Sequence, residues 1–166
     1  MLLDRELKRR GGGARPLYVI HQTGAADEKT VAGKYAAAGV SARVNAFEHR
    51  MADAFATADI VIARAGASTC FELARTASPA LLVPLPSAVR DHQHFNAEAF
   101  AASGAAYEAA QAELTPAALV KYLIGKYEHP CELELMAERM RALSVPDAAD
   151  RVAAMVERLA HAPRPR

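Results

Sequence analysis

Two short stretches hold most of the side chains whose types and spacing suit chemistry. The first is Arg64-Ala-Gly-Ala-Ser-Thr-Cys-Phe-Glu72, which follows the apolar run Asp59-Ile-Val-Ile-Ala63. Small residues between a strand and a helix leave backbone N–H groups to meet an anion, and the helix dipole adds to the attraction. Gly66 permits close approach, Ser68 and Thr69 offer hydroxyls, and Arg64 brings a charge suited to a diphosphate. A plainer reading of the same residues is a capping box, Thr69-x-x-Glu72, with Glu72 bonded back to the helix start and Gly66 serving only the turn.

The second stretch is Val83-Pro-Leu-Pro-Ser-Ala-Val-Arg-Asp-His-Gln-His-Phe-Asn-Ala97, a proline-punctuated loop that ends in polar side chains at a helix start. Gln93 and Asn96 stand three apart, so a helix puts both carboxamides on one face, where their donors and acceptors match vicinal sugar hydroxyls. The plainer alternative makes Asp91 an N-cap, Gln93 and Asn96 solvated, and His92 and His94 surface residues. His92-x-His94 is not a helical ligand spacing, and neither HExxH nor a Ser/His/Asp arrangement occurs. Cys70 and Cys131 are far apart and belong to no CxxC pair, so no metal, cofactor or disulfide framework is expected.

The elements that must position these loops alternate. Leu17 to His21 reads as a strand, Thr23 to Ala38 leads into a helix closed by Gly39, and Ala42 to Phe47 alternates as a second strand. His49 to Ala58 is a short helix, Asp59 to Ala63 a buried strand, and Cys70 to Ala77 a helix. Pro79 to Pro84 is an apolar strand, Asp91 to Ser103 a helix before Gly104, and Ala105 to Ala109 an edge strand. Thr115-Pro116 then caps a helix, and two more follow, one with Leu133, Met136, Met140 and Leu143 on one face, the other with Val152, Met155, Val156 and Leu159. Residues 1 to 10 read as the end of a further helix, stopped by Gly11-Gly12-Gly13. Alternation of this kind predicts a doubly wound, Rossmann-like parallel sheet in an α/β domain, with ligands at the carboxyl ends of the strands.

Bulk properties narrow the class. The 166 residues fit one domain, with 1–15 a helix end and Gly-rich loop, 16–162 the α/β domain and 163–166 a tail. Twenty basic and nineteen acidic residues give a formal charge of +1, which removes any bulk electrostatic case for a nucleic-acid partner. A hydrophobic fraction of 52% with only 6% aromatics reflects alanine, and favours closely packed small-residue helices. The charged N-terminus and short apolar runs predict a cytoplasmic, soluble chain.

Taken together, Arg64 to Glu72, the Val-Pro strand leading to Asp91 to Ala97, the late Val145-Pro-Asp-Ala148, Tyr18-Val-Ile-His-Gln-Thr-Gly24 and Phe47-x-x-x-Met51 resemble the MurG-type transferases, family 28 glycosyltransferases of the two-lobed GT-B fold. These motifs lie in the family's order between about residues 16 and 162, and the match is to the C-terminal, donor-binding lobe. The family moves N-acetylglucosamine from its UDP carrier to lipid I, giving lipid II, with inversion at the anomeric carbon and no metal. The resemblance implies that Glu72 holds the ribose diol and that Gln93 and Asn96 face the sugar. It also implies that Ala67, with Gly66, Ser68 and Thr69, approaches by backbone, and that Phe47 and the backbone at Glu48 border the uracil near Met51. Arg64 and His92 match positions next to the donor site, His92 standing where some relatives have Gln.

Two family features find no match: an acceptor lobe and the Gly-rich loop that opens the donor lobe. The resemblance therefore implies a lobe that binds UDP-N-acetylglucosamine and is inactive alone, with lipid I and the catalytic base brought by the acceptor side. The parent enzyme is peripheral on the cytoplasmic face of the inner membrane. A donor-binding subunit of a split enzyme, or a non-catalytic remnant, are the alternatives. In the order 3-2-1-4-5-6 the strands at Leu17, Ala42, Asp59, Ala80 and Ala105 take places 2, 3, 4, 5 and 6. A vacancy is then expected between Leu17 and Asp59, with marginal stability and a tendency to self-associate.

Overall fold

The computed structural model describes residues 17–87 and 91–161. The predicted helix over residues 1 to 10 and the tail from 163 lie outside the described residues. Strand β1 (Tyr18–Gln22) is followed by helix α1 (Glu28–Ala37) and strand β2 (Ser41–Asn45), and the two strands pair in parallel from Tyr18↔Ser41 to Gln22↔Asn45. Gly39, at φ 64°, provides the left-handed residue that lets the Val40 N–H return to the Tyr35 carbonyl and close α1. A 3.1 Å hydrogen bond between His21 Nδ1 and the Tyr35 hydroxyl ties β1 to α1.

The second unit runs α2 (Met51–Thr57), β3 (Val61–Ala63), α3 (Ala67–Thr76), β4 (Ala80–Leu82), α4 (His92–Ala102) and β5 (Ala106–Glu108). Its sheet is parallel in the order β3-β4-β5, with Val61↔Ala80 and Ala80↔Ala106 in register. β4 is central, and Ala80, Leu81 and Leu82 are fully buried, because helices cover both faces. Leu73 and Cys70 of α3, Phe100 and Ala97 of α4, and Met140 complete the core. Ser78 is the buried polar group there; its hydroxyl donates to the Phe55 carbonyl at 2.9 Å and meets Thr76 Oγ1 at 2.8 Å, so its burial leaves no orphan.

Three helices end the chain: α5 (Pro116–Glu128), α6 (Pro130–Ala142) and α7 (Ala148–His161). Thr115 caps α5 by accepting from the Ala118 N–H at 3.2 Å, with Pro116 in the first turn as its fixed φ favours. Met136 and Met140 bury the expected face of α6. α7 has no buried residue, and its apolar stripe of Val152, Met155, Val156 and Leu159 is more than half exposed at every position.

Among the described residues, β1 and β3 exchange no hydrogen bond, and the strands form two separate sheets. Within each sheet the strand order is the expected one, β1 beside β2 and β4 between β3 and β5. Two readings of local structure are corrected. Asp59 to Ala63 is not a uniformly buried strand: regular pairing starts at Val61, and Ile62 is 45% exposed because its side of β3 is uncovered. The helix after Gly66 starts at Ala67, three residues earlier than expected, since Ala67, Ser68 and Thr69 are small enough to form its first turn on the sheet.

Candidate functional site

The early start of α3 removes the capping-box reading of its first turn. Gly66 is the N-cap, and no side chain caps the helix, so Thr69 and Glu72 do not form a capping box. Gly66 is not needed for the turn either: at φ −65°, ψ 146° its backbone suits any residue, and an added Cβ would meet only Thr69 Oγ1, at 3.9 Å. What glycine provides here is open space over a helix N-terminus whose leading N–H groups have no intrahelical acceptor. Ala67, Ser68 and Glu72 are exposed around it.

The carboxamides of α4 are anchored to the backbone of the loops beside that helix end. Gln93 Oε1 accepts from the Leu85 N–H at 3.0 Å, and Asn96 Nδ2 donates to the Ala65 carbonyl at 2.9 Å. They are thus part of the loop architecture and not freely solvated. With Oε1 engaged, Gln93 presents its amide N–H groups as donors, while Asn96 presents its carbonyl oxygen as acceptor. Asp91 occupies the N-cap position in the left-handed region, at φ 53°, but its side chain makes no capping bond. His92 is exposed at the head of the same turn.

Arg64 braces three loops. Its guanidinium donates to the carbonyls of Val83 and Pro84, each at 3.2 Å, and to Gln111 Oε1 at 2.7 Å, joining the ends of β3 and β4 to the segment after β5. The charge expected at a diphosphate therefore sits at the carboxyl edge of the sheet, engaged with protein acceptors.

Across the break, the turn after β2 is built on Glu48, only 7% exposed. Its carboxylate accepts from the Arg50 N–H at 3.0 Å, from Arg43 at 2.8 Å and from Asn45 at 3.0 Å. The backbone bond from Arg50, then the Arg43 charge and the Asn45 amide, outweigh the desolvation that opposes them and hold the Glu48 carboxyl below the usual carboxylate range. The Glu48 N–H donates to Gln22 Oε1 at 2.9 Å, linking the ends of β1 and β2. The carboxylate is thus a brace, and the group it displays is Phe47, 62% exposed and edge-on to His49 at 5.1 Å between ring centroids. Met51 packs against the core and is half-buried.

With that geometry described, comparison with known proteins is direct. The model for the glycosyltransferase family 28 C-terminal domain matches residues 3–152. The chain belongs to this family. It is 47% identical over 130 residues to the UDP-N-acetylglucosamine--N-acetylmuramyl-(pentapeptide) pyrophosphoryl-undecaprenol N-acetylglucosamine transferase of Azotobacter vinelandii, covering 78% of this chain and 36% of that protein. The enzyme of the same name from Halorhodospira halophila is 44% identical over 151 residues, covering 90% of this chain and 42% of its own length. The crystal structure of Acinetobacter baumannii MurG superposes with a TM-score of 0.78 at 33% identity, covering 95% of this chain and 46% of that one. The glycosyltransferase VinC, crystallised with DTDP, shares the fold alone, at 20% identity and a TM-score of 0.55 over 90% of this chain and 43% of VinC. This family 28 domain thus spans less than half the length of the relatives it matches.

Within the family 28 domain, the bonds from Gln93 to Leu85 and from Asn96 to Ala65 bring the start of α4 to the loops after β4 and β3, beside Gly66 and the start of α3, while Arg64 reaches the loop after β4. Phe47 and Glu48 belong to the turn after β2, and Met51 opens α2 and packs against the core of the β3–β5 unit. The sequence reading missed Gln22 and Gln111, which hold Glu48 and Arg64. Each is a lone carboxamide with no motif around it; only the partner across space reveals its role. None of the twelve expected residues lines the cavity of about 510 Å³ between α3 and α7, which is walled by Phe71, Arg75, Val145, Val152 and Met155. No group of His, Cys, Asp and Glu able to hold a metal occurs among the described residues. Nor is any of their helices long and apolar enough to cross a membrane.

Proposed function

We propose that this domain binds UDP-N-acetylglucosamine as the donor half of a transferase that glycosylates lipid I. The observation carrying the reading is the convergence of an uncapped helix start at Gly66 with two backbone-anchored carboxamides, Gln93 and Asn96, at the carboxyl ends of β3 and β4. The helix start suits the diphosphate and would stabilise departing UDP. Gln93 donors and the Asn96 acceptor suit sugar hydroxyls, the exposed Glu72 carboxylate suits a vicinal ribose diol, and exposed Phe47 suits the face of a base. The names of the relatives, and their identity to this chain, support the same donor. The lipid I acceptor and the base that deprotonates its hydroxyl belong to the acceptor side of such an enzyme, and the domain alone is proposed to be inactive.

Calorimetry with UDP-N-acetylglucosamine tests the reading. Glu72→Ala is expected to weaken binding by about 1.5 to 3 kcal/mol through loss of charge-assisted hydrogen bonds, with the helix retained by circular dichroism. Gln93→Ala is expected to lose the preference for the UDP-sugar over UDP while keeping UDP affinity. Unchanged affinity in Glu72→Ala, or equal losses for both ligands in Gln93→Ala, would overturn the assignments.

A further inference from the structure

One side-chain pair at the carboxyl edge of the sheet has no part in the assignments above. His94 Nδ1 lies 2.8 Å from Glu108 Oε1, joining the first turn of α4 to the last residue of β5. That turn carries Gln93 and Asn96, whose anchors are the Leu85 N–H after β4 and the Ala65 carbonyl after β3. The first turn of α4 is thus tied to all three strands of its sheet, and the three ties differ in kind. Two are made by the carboxamides whose remaining polar atoms would engage the sugar, so sugar contacts load the same side chains that anchor the turn. The third is made by a residue about 100° further round the helix from Gln93, facing β5, and no sugar contact loads it.

We propose that the His94–Glu108 pair is a positioning element of the donor-sugar site, clamping the first turn of α4 to β5 so that Gln93 and Asn96 hold their places when their remaining donors and acceptor engage a sugar. The inference rests on the donor reading of this site and adds to it a residue pair and a pH dependence. The groups facing the imidazole are Glu108 from β5, Glu98 from its own helix and Asp91 just before that helix, all acidic. The Glu108 hydrogen bond and charge come first among the effects that raise the His94 pKa above its ordinary 6.5. The sign follows: the charged pair is complete in mildly acid solution and weakens as pH rises through the raised value. Sugar affinity therefore declines with pH, while affinity for UDP, which lacks the sugar that α4 addresses, does not follow it.

The test measures UDP-N-acetylglucosamine and UDP affinities for the wild-type chain, His94→Gln and Glu108→Gln at about pH 6 and about pH 8.5. Wild-type affinity for the UDP-sugar is expected to fall by roughly two- to fivefold between the two, the range of an exposed ion pair, and both variants to sit at the weaker value at either pH. UDP affinity is expected to be the same in all three proteins at each pH. Binding of the UDP-sugar by both variants with the wild-type pH profile overturns the proposal and leaves the donor reading standing. Equal losses for UDP and UDP-sugar also overturn it, since the pair would then support the fold and not the sugar site. Failure of the wild type to bind either ligand at any pH overturns the donor reading, and the proposal with it.

Discussion

The two sheets are wound in the same way and are held together very differently. In the β3–β5 half, both faces of the central strand β4 are covered, and Leu73, Leu81, Leu82 and Met140 are wholly shielded from water. In the β1–β2 half, α1 has no buried residue and neither strand has one, leaving Val40 and Glu48 as the buried positions of that region. Parallel strands normally need both faces covered, because their edges and faces alike exclude water poorly when left open. The comparison teaches that the βαβ wind sets topology, while stability comes from what is laid over it. The proposed donor site spans both regimes: the loops expected at the sugar and diphosphate belong to the well-packed half, and the turn expected at the uracil belongs to the weakly packed one.

The largest expected contrast is in hydrogen exchange. Amides of Leu81 and Leu82 should exchange only through global opening, and those of Val19 to His21 at least roughly a hundredfold faster, since opening free energies within one protein run from near zero to the global value. Equal protection in the two strands would break the comparison and indicate direct closure between β1 and β3. Next is truncation in the two sheets. Leu81→Ala should cost about 2 to 5 kcal/mol and Val44→Ala about 1 kcal/mol or less by denaturant unfolding, because the first empties a closed core and the second a half-open face. Comparable losses would show that the β1–β2 half is better covered than its exposure indicates.

Smallest, but of opposite sign in the two halves, is the response to pH. The depressed Glu48 carboxyl contributes stability that is present above its ordinary value of 4.5 and lost as pH falls through its folded value, so the β1–β2 half should loosen in acid. The raised His94 contributes stability that is fully present below 6.5 and lost as pH rises through its folded value, so the start of α4 should loosen in weak alkali. Site-resolved exchange across the pH range measures both, with Glu48→Gln expected to remove the acid response alone. A single response shared by both regions would mean that they open as one unit.

Much of this architecture is legible in the residues themselves. Apolar runs at Leu17, Ala42, Asp59, Ala80 and Ala105 mark the five strands, and the order of a doubly wound sheet predicts the neighbours found within each sheet. Gln93 and Asn96 are recognisable as neighbours because a spacing of three means one face of a helix. The start of α3 was not legible, since Ala67-Ser-Thr69 carries no strong preference and only the packing of Cys70 and Leu73 against the sheet extends the helix back to Gly66. The roles of Gln22, Gln111 and Glu108 depend on partners 26, 47 and 14 residues away in sequence. No local pattern records such pairings. Exposure of the α7 stripe was hidden for the same reason: amphipathicity states which face should be covered, and only the fold shows whether it is.

That helix has a consequence for how the molecule meets a protease. A segment with no buried side chain contributes little to the cooperative free energy of the domain, so α7 opens by its own local equilibrium, far more often than β4. Cleavage in such a segment tracks the population of the open form and not the rate of global unfolding. Arg151 and Arg158 would present tryptic bonds on α7, and the rate at which they are cut reports directly on whether the apolar stripe from Val152 to Leu159 has found a cover.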